Sequence, residues 1–285
     1  MADYKPWTEW FKQVRKTIPY GASPYVYTQQ DDLEYRKKQG LPPADVKYKQ
    51  LKDHLQFGNE KLSENICIFN LGSALGCPSR KTGECQLDDP ERCYALGSEK
   101  MYGSPYFYRE RQKQLWKTIS AEQFARHVGQ AFKKKEEYAI RARSRPKPKP
   151  KLIIKGKKKK KKKRVPFNPD MPYLMRFDEA GDFSKQSDVK KMSKIADILK
   201  KDYGIRTYTY TAKSSLDYRK VSKNLTINRS NWTSKKQPKK GTNVFQAVVK
   251  PTSKYICPGT ASRECGSKCM LCVGGGNKLI QVKKH

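Results

Sequence analysis

Apolar residues follow two spacings along the chain, and together they predict strands that alternate with helices. Residues 66–71 form a short apolar run that ends at Gly72, which is typical of a buried strand. Between residues 187 and 201 the apolar side chains recur every three or four positions, which predicts an amphipathic helix ended by Gly204. Further strands are predicted at 172–177, 205–211, 225–227 and 244–249. This order implies an α/β fold class with the βα repeats of a parallel sheet, of which a partial or distorted barrel is one form.

The remaining patterns divide the chain into four segments. Residues 30–62 carry apolar side chains at helical spacing, and Ser120 begins another helix that passes through Phe132. The predicted segments are an N-terminal helical and aromatic segment at 1–65, the first part of the α/β core at 66–132, a disordered basic insert at 133–166, and the second part of the core at 167–285.

The chain is strongly basic, and its charge is unevenly placed. It has 62 Lys and Arg against 27 Asp and Glu, a net charge of +35, and residues 133–164 alone contribute +16. Prolines alternate with cations after Arg143, and seven lysines follow at 157–163, which predicts an extended, disordered insert. Because self-repulsion on this scale destabilises a compact chain, the charge favours a polyanionic partner.

Nucleic acid, either DNA or RNA, is the polyanion that this charge predicts. A lysine-rich arm binds phosphates by releasing their counterions, without sequence specificity. A localisation signal is the alternative use of such a segment. A membrane partner is not expected, since no apolar run approaches the roughly 18 residues of a bilayer span. The predicted nucleic-acid-binding residues are Lys147, Lys149, Lys151, Lys157, Lys158, Lys159, Lys160, Lys161, Lys162, Lys163 and Arg164.

Seven of the eight cysteines form two groups with the spacing of metal ligands, whereas Cys67 lies in the apolar run and is expected to be buried. Close cysteines are typical of zinc sites and iron–sulfur clusters. A disulfide framework is the alternative, but such frameworks are typical of secreted domains and no signal peptide is recognisable. A reducing, intracellular setting is therefore expected. The predicted ligands are Cys77, Cys85 and Cys93 in the first group, and Cys257, Cys265, Cys269 and Cys272 in the second.

A group of acidic residues follows the predicted strand at 172–177. Asp178 and Asp182 could hold Mg²⁺ for phosphodiester chemistry, and Lys213, after the next strand, would project onto the same edge of a parallel sheet. The alternative use of these carboxylates is to cap the following helix and pair with nearby cations. Asp178, Asp182 and Lys213 are the candidate catalytic residues.

The order of several short motifs resembles the phage-encoded gene product 88 family. The resemblance covers about 66–105 and 172–275, and it implies a virus-encoded protein in the host cytoplasm or nucleoid. The family pattern has a histidine where this chain has Asp178, which argues against histidine-based chemistry. The motifs are Cys77-Pro78, Cys85, Cys93-Tyr94-Ala95, Arg176-Phe177, Gly181-Asp182-Phe183, the Tyr208 to Ser214 stretch and the terminal cysteine-rich segment.

That family is distantly similar to radical S-adenosylmethionine barrels, in which three cysteines after the first strand hold a 4Fe–4S cluster. The position of Cys77, Cys85 and Cys93 after a strand fits this placement, although their spacing is wider. The tighter spacing occurs instead at the C-terminal group. The resemblance implies an iron–sulfur cluster, with S-adenosylmethionine as a further cofactor.

Three functions are therefore consistent with the sequence. The first is a nucleic-acid-binding protein whose fold is closed by a cysteine-ligated zinc or iron–sulfur site. The second is a cluster-dependent enzyme that acts on nucleic acid. The third is a Mg²⁺-dependent nuclease that uses Asp178 and Asp182.

Overall fold

The fold is α/β, as predicted, in a computed structural model of the chain. The structure describes residues 51–59, 61–85, 93–101, 103–144, 165–230, 242–248, 250–257, 269–275 and 277–283. The helix predicted near the N-terminus and the lysine-rich stretch 145–164 lie outside the described residues.

The described strands form one sheet in the order β1-β2-β3-β4-β5-β6-β8-β7. Strand β1 pairs with β2 in an antiparallel manner, and every other pair is parallel. Strands β2 to β6 have the same order in the sheet as in the sequence. Each strand is therefore added on the same side of the strand before it. The strands are β1 (Gln56–Phe57), β2 (Ile66–Phe69), β3 (Leu174–Phe177), β4 (Arg206–Thr211), β5 (Leu225–Ser230), β6 (Thr242–Val248), β7 (Tyr255–Ile256) and β8 (Leu279–Lys283).

The helices lie in the connections between the first strands. The described helices are α1 (Pro78–Lys81), α2 (Tyr94–Met101), α3 (Gly103–Thr118), α4 (Ala121–Ser144) and α5 (Gln186–Tyr203), and a 3-10 turn spans Leu51–His54. Helix α5 ends at Gly204, which has a left-handed backbone with φ +69°, as predicted. None of the described helices is long and apolar enough to cross a bilayer.

One face of the sheet, called here the helical face, packs against α4 and α5. The ring of Phe69 on β2 lies 4.9 Å from Phe124 on α4, and Phe177 on β3 stacks on Phe124 at 5.5 Å. The two helices approach closely at Gly129, where a Cβ atom would lie 2.2 Å from the Tyr203 ring. A glycine at this point lets the helices bury a continuous apolar core.

The opposite face, called here the cysteine face, is covered by the C-terminal segment. Ile66, Ile68 and Leu174 on this face form a smaller core cluster that includes Val273. Met270 and Cys272 pack against the same cluster. The chain therefore returns to its first strands near its C-terminal end.

Three predictions about local structure were wrong. Helix α4 continues to Ser144, so the basic insert does not begin at residue 133. Residues 133–144 are rich in Lys, Glu, Ala and Arg, which favour helix even where no apolar face is buried. Residues 51–57 form a turn and a strand instead of the end of a helix. Strand 244–249 is not the last, because β7 and β8 follow it.

Candidate functional site

The candidate site lies at the carboxyl edge of the parallel sheet, where the loops after β2, β3 and β4 meet. Gly181, in the loop after β3, has a φ of +78°, and a Cβ there would lie 2.8 Å from the backbone of Gly72. Glycine permits both this conformation and this approach, so the first two loops touch backbone to backbone. Open parallel sheets bind their ligands at this edge.

Buried carboxylates hold the loop after β2. Glu99 on α2 accepts hydrogen bonds from the amides of Ala74 at 2.8 Å and Leu75 at 3.0 Å. It also pairs with Arg109 at 2.7 Å, and both side chains are buried. Burial raises the pKa of Glu99, although Arg109 opposes this shift. Glu110 on α3 holds Ser73 in the same way, at 3.1 Å to its amide. These hydrogen bonds fix the backbone between β2 and Cys77.

Cys77 lies where burial and the charges of Asp182 and Cys85 act on its thiol, and all three raise its pKa. The backbone amides of Ser79 and Arg80 hydrogen-bond to the Cys77 sulfur. Amides of this kind stabilise sulfur ligands of a metal ion.

Cys93 lies at the start of α2, where the amides of Leu96 and Ala95 hydrogen-bond to its sulfur. It packs against a cluster that contains Ala74 and Ala180, from the loops after β2 and β3. Burial raises the pKa of this thiol too. Residues 86–92, which connect Cys85 to Cys93, lie outside the described part of the chain.

Asp182 joins the three loops through hydrogen bonds. Its carboxylate accepts from Ser79 Oγ and Thr211 Oγ1, both at 2.6 Å, and from the amide of Ala212 at 2.8 Å. Burial raises its pKa, whereas these hydrogen bonds lower it, and the net shift is upward. The arrangement fixes the ends of β3 and β4 to α1.

Asp178 is buried at the end of β3, with a left-handed backbone at φ +59°. One carboxylate oxygen accepts from the amide of Leu71 at 3.2 Å, and the other accepts from Thr209 Oγ1 at 2.9 Å. Burial, and then the charge of Asp182, raise its pKa well above the usual range. These contacts give both aspartates a connecting role, and the nuclease role stays a prediction.

Lys213, the third candidate catalytic residue, is buried and forms an ion pair with half-buried Glu84. The Glu84 carboxylate also accepts from the amides of Ser214 at 2.6 Å and Ser215 at 2.8 Å. Both serine hydroxyls and Thr82 Oγ1 donate to it as well. Burial would raise the pKa of Glu84, but the hydrogen bonds, first from Lys213, lower it to about 2. Glu84 thus ties the loop after β2 to the loop after β4.

Cys272 of the second cysteine group lies on the cysteine face. Asn228 donates to the carbonyl of Cys272 at 3.0 Å, Thr226 to that of Val273 at 2.8 Å, and Asn243 to that of Gly274 at 3.2 Å. The Cys272 thiol also hydrogen-bonds with the Tyr210 side chain. Neutral donors on β5 and β6 therefore hold this segment against the sheet.

The remaining predicted ligands are only partly described. Cys257 follows β7, where its amide donates to Gln281 at 2.7 Å, and Cys269 is half-buried. Cys265 and the predicted arm Lys147–Arg164 lie outside the described residues. Within the described ranges no cysteine forms a disulfide, and no three His, Cys, Asp or Glu side chains are grouped as a metal site.

A second candidate surface is the part of α4 beyond Phe132. Tyr138 is 71% exposed, and Lys134 and Arg141 lie four residues before and three residues after it, so the three share one helix face. Together with Glu137 and Ala142 they line a cavity of about 250 Å³. The helix leads directly into the lysine-rich stretch.

Sequence reasoning missed the residues that hold the cysteine segments in place. Glu84, Glu99 and Glu110 act through contacts with residues 24 to 131 positions away in the chain. The available signal was the unusual number of acidic residues near the first cysteine group in a chain this basic. Asn228 and Asn243 gave a weaker signal, since amides are uncommon in buried strands.

Comparison with known proteins returned no relatives: no family model, curated protein or solved structure matches the chain.

Proposed function

We propose that the protein binds single-stranded nucleic acid, with the exposed face of α4 as a docking surface. The observation that carries the proposal is Tyr138, an exposed aromatic ring between Lys134 and Arg141 on a helix that enters a lysine-rich stretch. An aromatic ring stacks on an unpaired base, and flanking cations bind the phosphates on either side. The net charge of +35 favours the same partner.

The contacts of α4 explain why this face is available. Lys135 pairs with Glu64 at 2.9 Å, and Arg143 bonds Asn168 at 2.6 Å, so one side of the helix is fixed to the body of the protein. Lys134, Tyr138 and Arg141 lie on the exposed side. A strand bound there would lie along a helix that is already ordered, so base stacking would cost little ordering.

The test is anisotropy of a labelled 12-nucleotide single strand across a series of salt concentrations. Tyr138→Ala should weaken binding about 5- to 150-fold, the equivalent of about 1–3 kcal/mol for one stacked base. Lys134→Ala with Arg141→Ala should reduce the slope of log affinity against log salt by about 1.4, since each phosphate contact contributes about 0.7.

The matched control is Lys200→Ala with Lys201→Ala, which removes two exposed cations from the end of α5. This double variant should leave affinity and slope close to those of the wild type. If it weakens binding as much as the α4 variants, the contact is a general effect of charge and α4 is not the docking surface.

A second function has its own support at the carboxyl edge of the sheet. Cys77, Cys85 and Cys93 follow β2, the charge of Cys85 acts on the Cys77 thiol, and amides donate to two of the three sulfurs. This donor set suits a zinc ion or an iron–sulfur cluster, which would deprotonate the thiols and restrain the loop. The proposal is that the first cysteine group holds such a centre.

Anaerobic purification with metal analysis tests this second proposal. A brown protein that absorbs near 400 nm indicates a cluster, and colourless protein with stoichiometric zinc indicates a zinc site. Cys85→Ser should remove the metal, whereas Cys67→Ser changes a buried thiol outside both groups and should not. Protein free of both metals after this preparation excludes the centre.

A further inference from the structure

The loop after β4 is built as an anion site and is occupied by the chain's own Glu84. The two successive amides of Ser214 and Ser215, both serine hydroxyls and the ammonium group of Lys213 converge on one carboxylate. Successive amides of this kind form a nest for an anion. Lys213 is buried, so its charge would be costly without an anion beside it.

The carboxylate in this loop has the charge and oxygen count of a phosphodiester. Both groups carry one negative charge, and both present two oxygens that accept hydrogen bonds. Glu84 uses both oxygens here: one accepts from Lys213 and Ser215 Oγ, and the other accepts from the two amides. A phosphodiester in the same place would meet the same donors.

The Glu84 carboxylate can leave this site by rotation of its own side chain. The backbone of the segment would stay in place, because the amides of Glu84 and Cys85 donate to the carbonyl of Ser79 at 2.9 and 3.0 Å. Thr82, Ser214 and Ser215 are exposed, so the site opens to solvent. The side-chain contacts of Glu84 therefore lie at the surface, apart from the one to Lys213.

We propose that Lys213, Ser214 and Ser215 form a phosphate-binding site for the nucleic-acid backbone, and that Glu84 occupies it until a phosphodiester displaces the carboxylate. This inference rests on the proposed nucleic-acid function and names where a backbone phosphate binds at the edge of the sheet. Glu84 acts as an internal competitor, so Lys213 has an anion beside it even when no phosphodiester is bound.

The experiment compares the wild type with Glu84→Gln in the same single-strand binding assay. Glu84→Gln should bind about 3- to 10-fold tighter at a fixed salt concentration, because the internal competitor is gone, and its salt slope should stay the same, because the same phosphate contact forms in both proteins. Adding Ser214→Ala and Ser215→Ala to Glu84→Gln should remove the gain. The control is Asp217→Asn, which removes a nearby exposed charge paired with Arg219 and should leave the affinity unchanged.

Equal affinity for the wild type and Glu84→Gln overturns the inference and leaves the proposed function standing. The inference also fails if Asp217→Asn reproduces the gain, because a general loss of negative charge would then explain it. If no variant binds the strand, the proposed function fails. Inorganic phosphate then decides the anion site: it should shift the amide resonances of Ser214 and Ser215 in Glu84→Gln at lower concentration than in the wild type.

A measurement on the unaltered protein covers the case in which Glu84→Gln does not fold. Titration of the strand into labelled wild-type protein should shift the amide resonances of Ser214 and Ser215, since their partner changes from carboxylate to phosphate. Saturation with the strand without any shift at these two amides contradicts the inference.

Discussion

The two cysteine-bearing segments are held in place by opposite chemistry. In the loop after β2, carboxylates accept hydrogen bonds from backbone amides, as Glu99 does from Ala74 and Leu75. In the C-terminal segment, neutral side chains donate to backbone carbonyls, as Asn228 does to Cys272. The first arrangement depends on buried charge and therefore on pH and on partner cations, whereas the second depends on neither. The first segment is thus held by a charged frame and the second by a neutral frame, and the two segments should respond differently to pH and to substitution of the residues that hold them.

The largest expected effect comes from breaking the charged frame. Glu99→Ala removes the partner of buried Arg109 and leaves two loop amides without an acceptor. The free energy of unfolding should fall by about 3–5 kcal/mol. Urea unfolding measures the loss. Glu122→Ala is the control, since Glu122 forms an exposed pair with Lys194, and it should leave the unfolding midpoint unchanged. Equal losses of unfolding free energy in the two variants would show that the buried Glu99 pair stabilises the fold no more than an exposed pair does.

Breaking the neutral frame should cost less and should act on the other thiols. Asn228→Ala leaves the carbonyls of Thr209 and Cys272 without their donor, which should lower the free energy of unfolding by about 1–3 kcal/mol. Thiol labelling should become faster at Cys272 and stay unchanged at Cys77. Faster labelling at both cysteines would mean that the two segments are not held separately.

The charged frame also predicts a pH dependence that the neutral frame lacks. The pKa of Asp178 is raised in the folded state, mainly by burial, so the folded protein binds more protons than the unfolded chain above about pH 4. Its contribution to stability is therefore lost as pH rises from about 4 through the raised pKa, by up to about 1.4 kcal/mol per pH unit. Asp178→Asn should flatten this slope, because asparagine tolerates the left-handed backbone and can keep both hydrogen bonds. If urea unfolding shows that the free energy of unfolding falls with pH at the same rate in both proteins, Asp178 is not the source of this pH dependence.

The smallest expected effect is at Thr226. Thr226→Val keeps the shape of the side chain and removes one hydrogen bond, to the carbonyl of Val273. The unfolding free energy should fall by about 1 kcal/mol, with no dependence on pH. Urea unfolding of the wild type and Thr226→Val at two pH values measures the loss of free energy and its dependence on pH. A loss that varies with pH would show that the neutral frame is coupled to a titrating group.

The sequence was a good guide where local patterns decide the structure. The α5 helix followed from the apolar spacing of Val189, Met192 and Ile195, which all lie in the core, and from its glycine end. The strand before the first cysteine group followed from its apolar run. Each of these features is set by residues close together in the chain, so the pattern carries the information.

Features set by distant partners could not be read in the same way. Glu84 is an ordinary surface residue until β4 places Ser214 and Ser215 beside it. Asn243 donates hydrogen bonds to Asn228 and to the carbonyl of Gly274. The role of these two amides is evident only once the C-terminal segment lies on the sheet. Helix α4 was predicted too short because its second half has charges and no apolar stripe, although its residues favour helix by themselves.

The described residues on either side of the lysine-rich stretch are bonded to each other. Arg143, at the end of α4, bonds both Asn168 and Asp170, and the amide of Glu64 donates to Val165 at 3.0 Å. A chain that leaves and returns at neighbouring points closes a loop, and doubling the length of such a loop costs only about 0.6 kcal/mol. Replacement of residues 145–164 by a span of different length should therefore have little effect on the stability of the sheet.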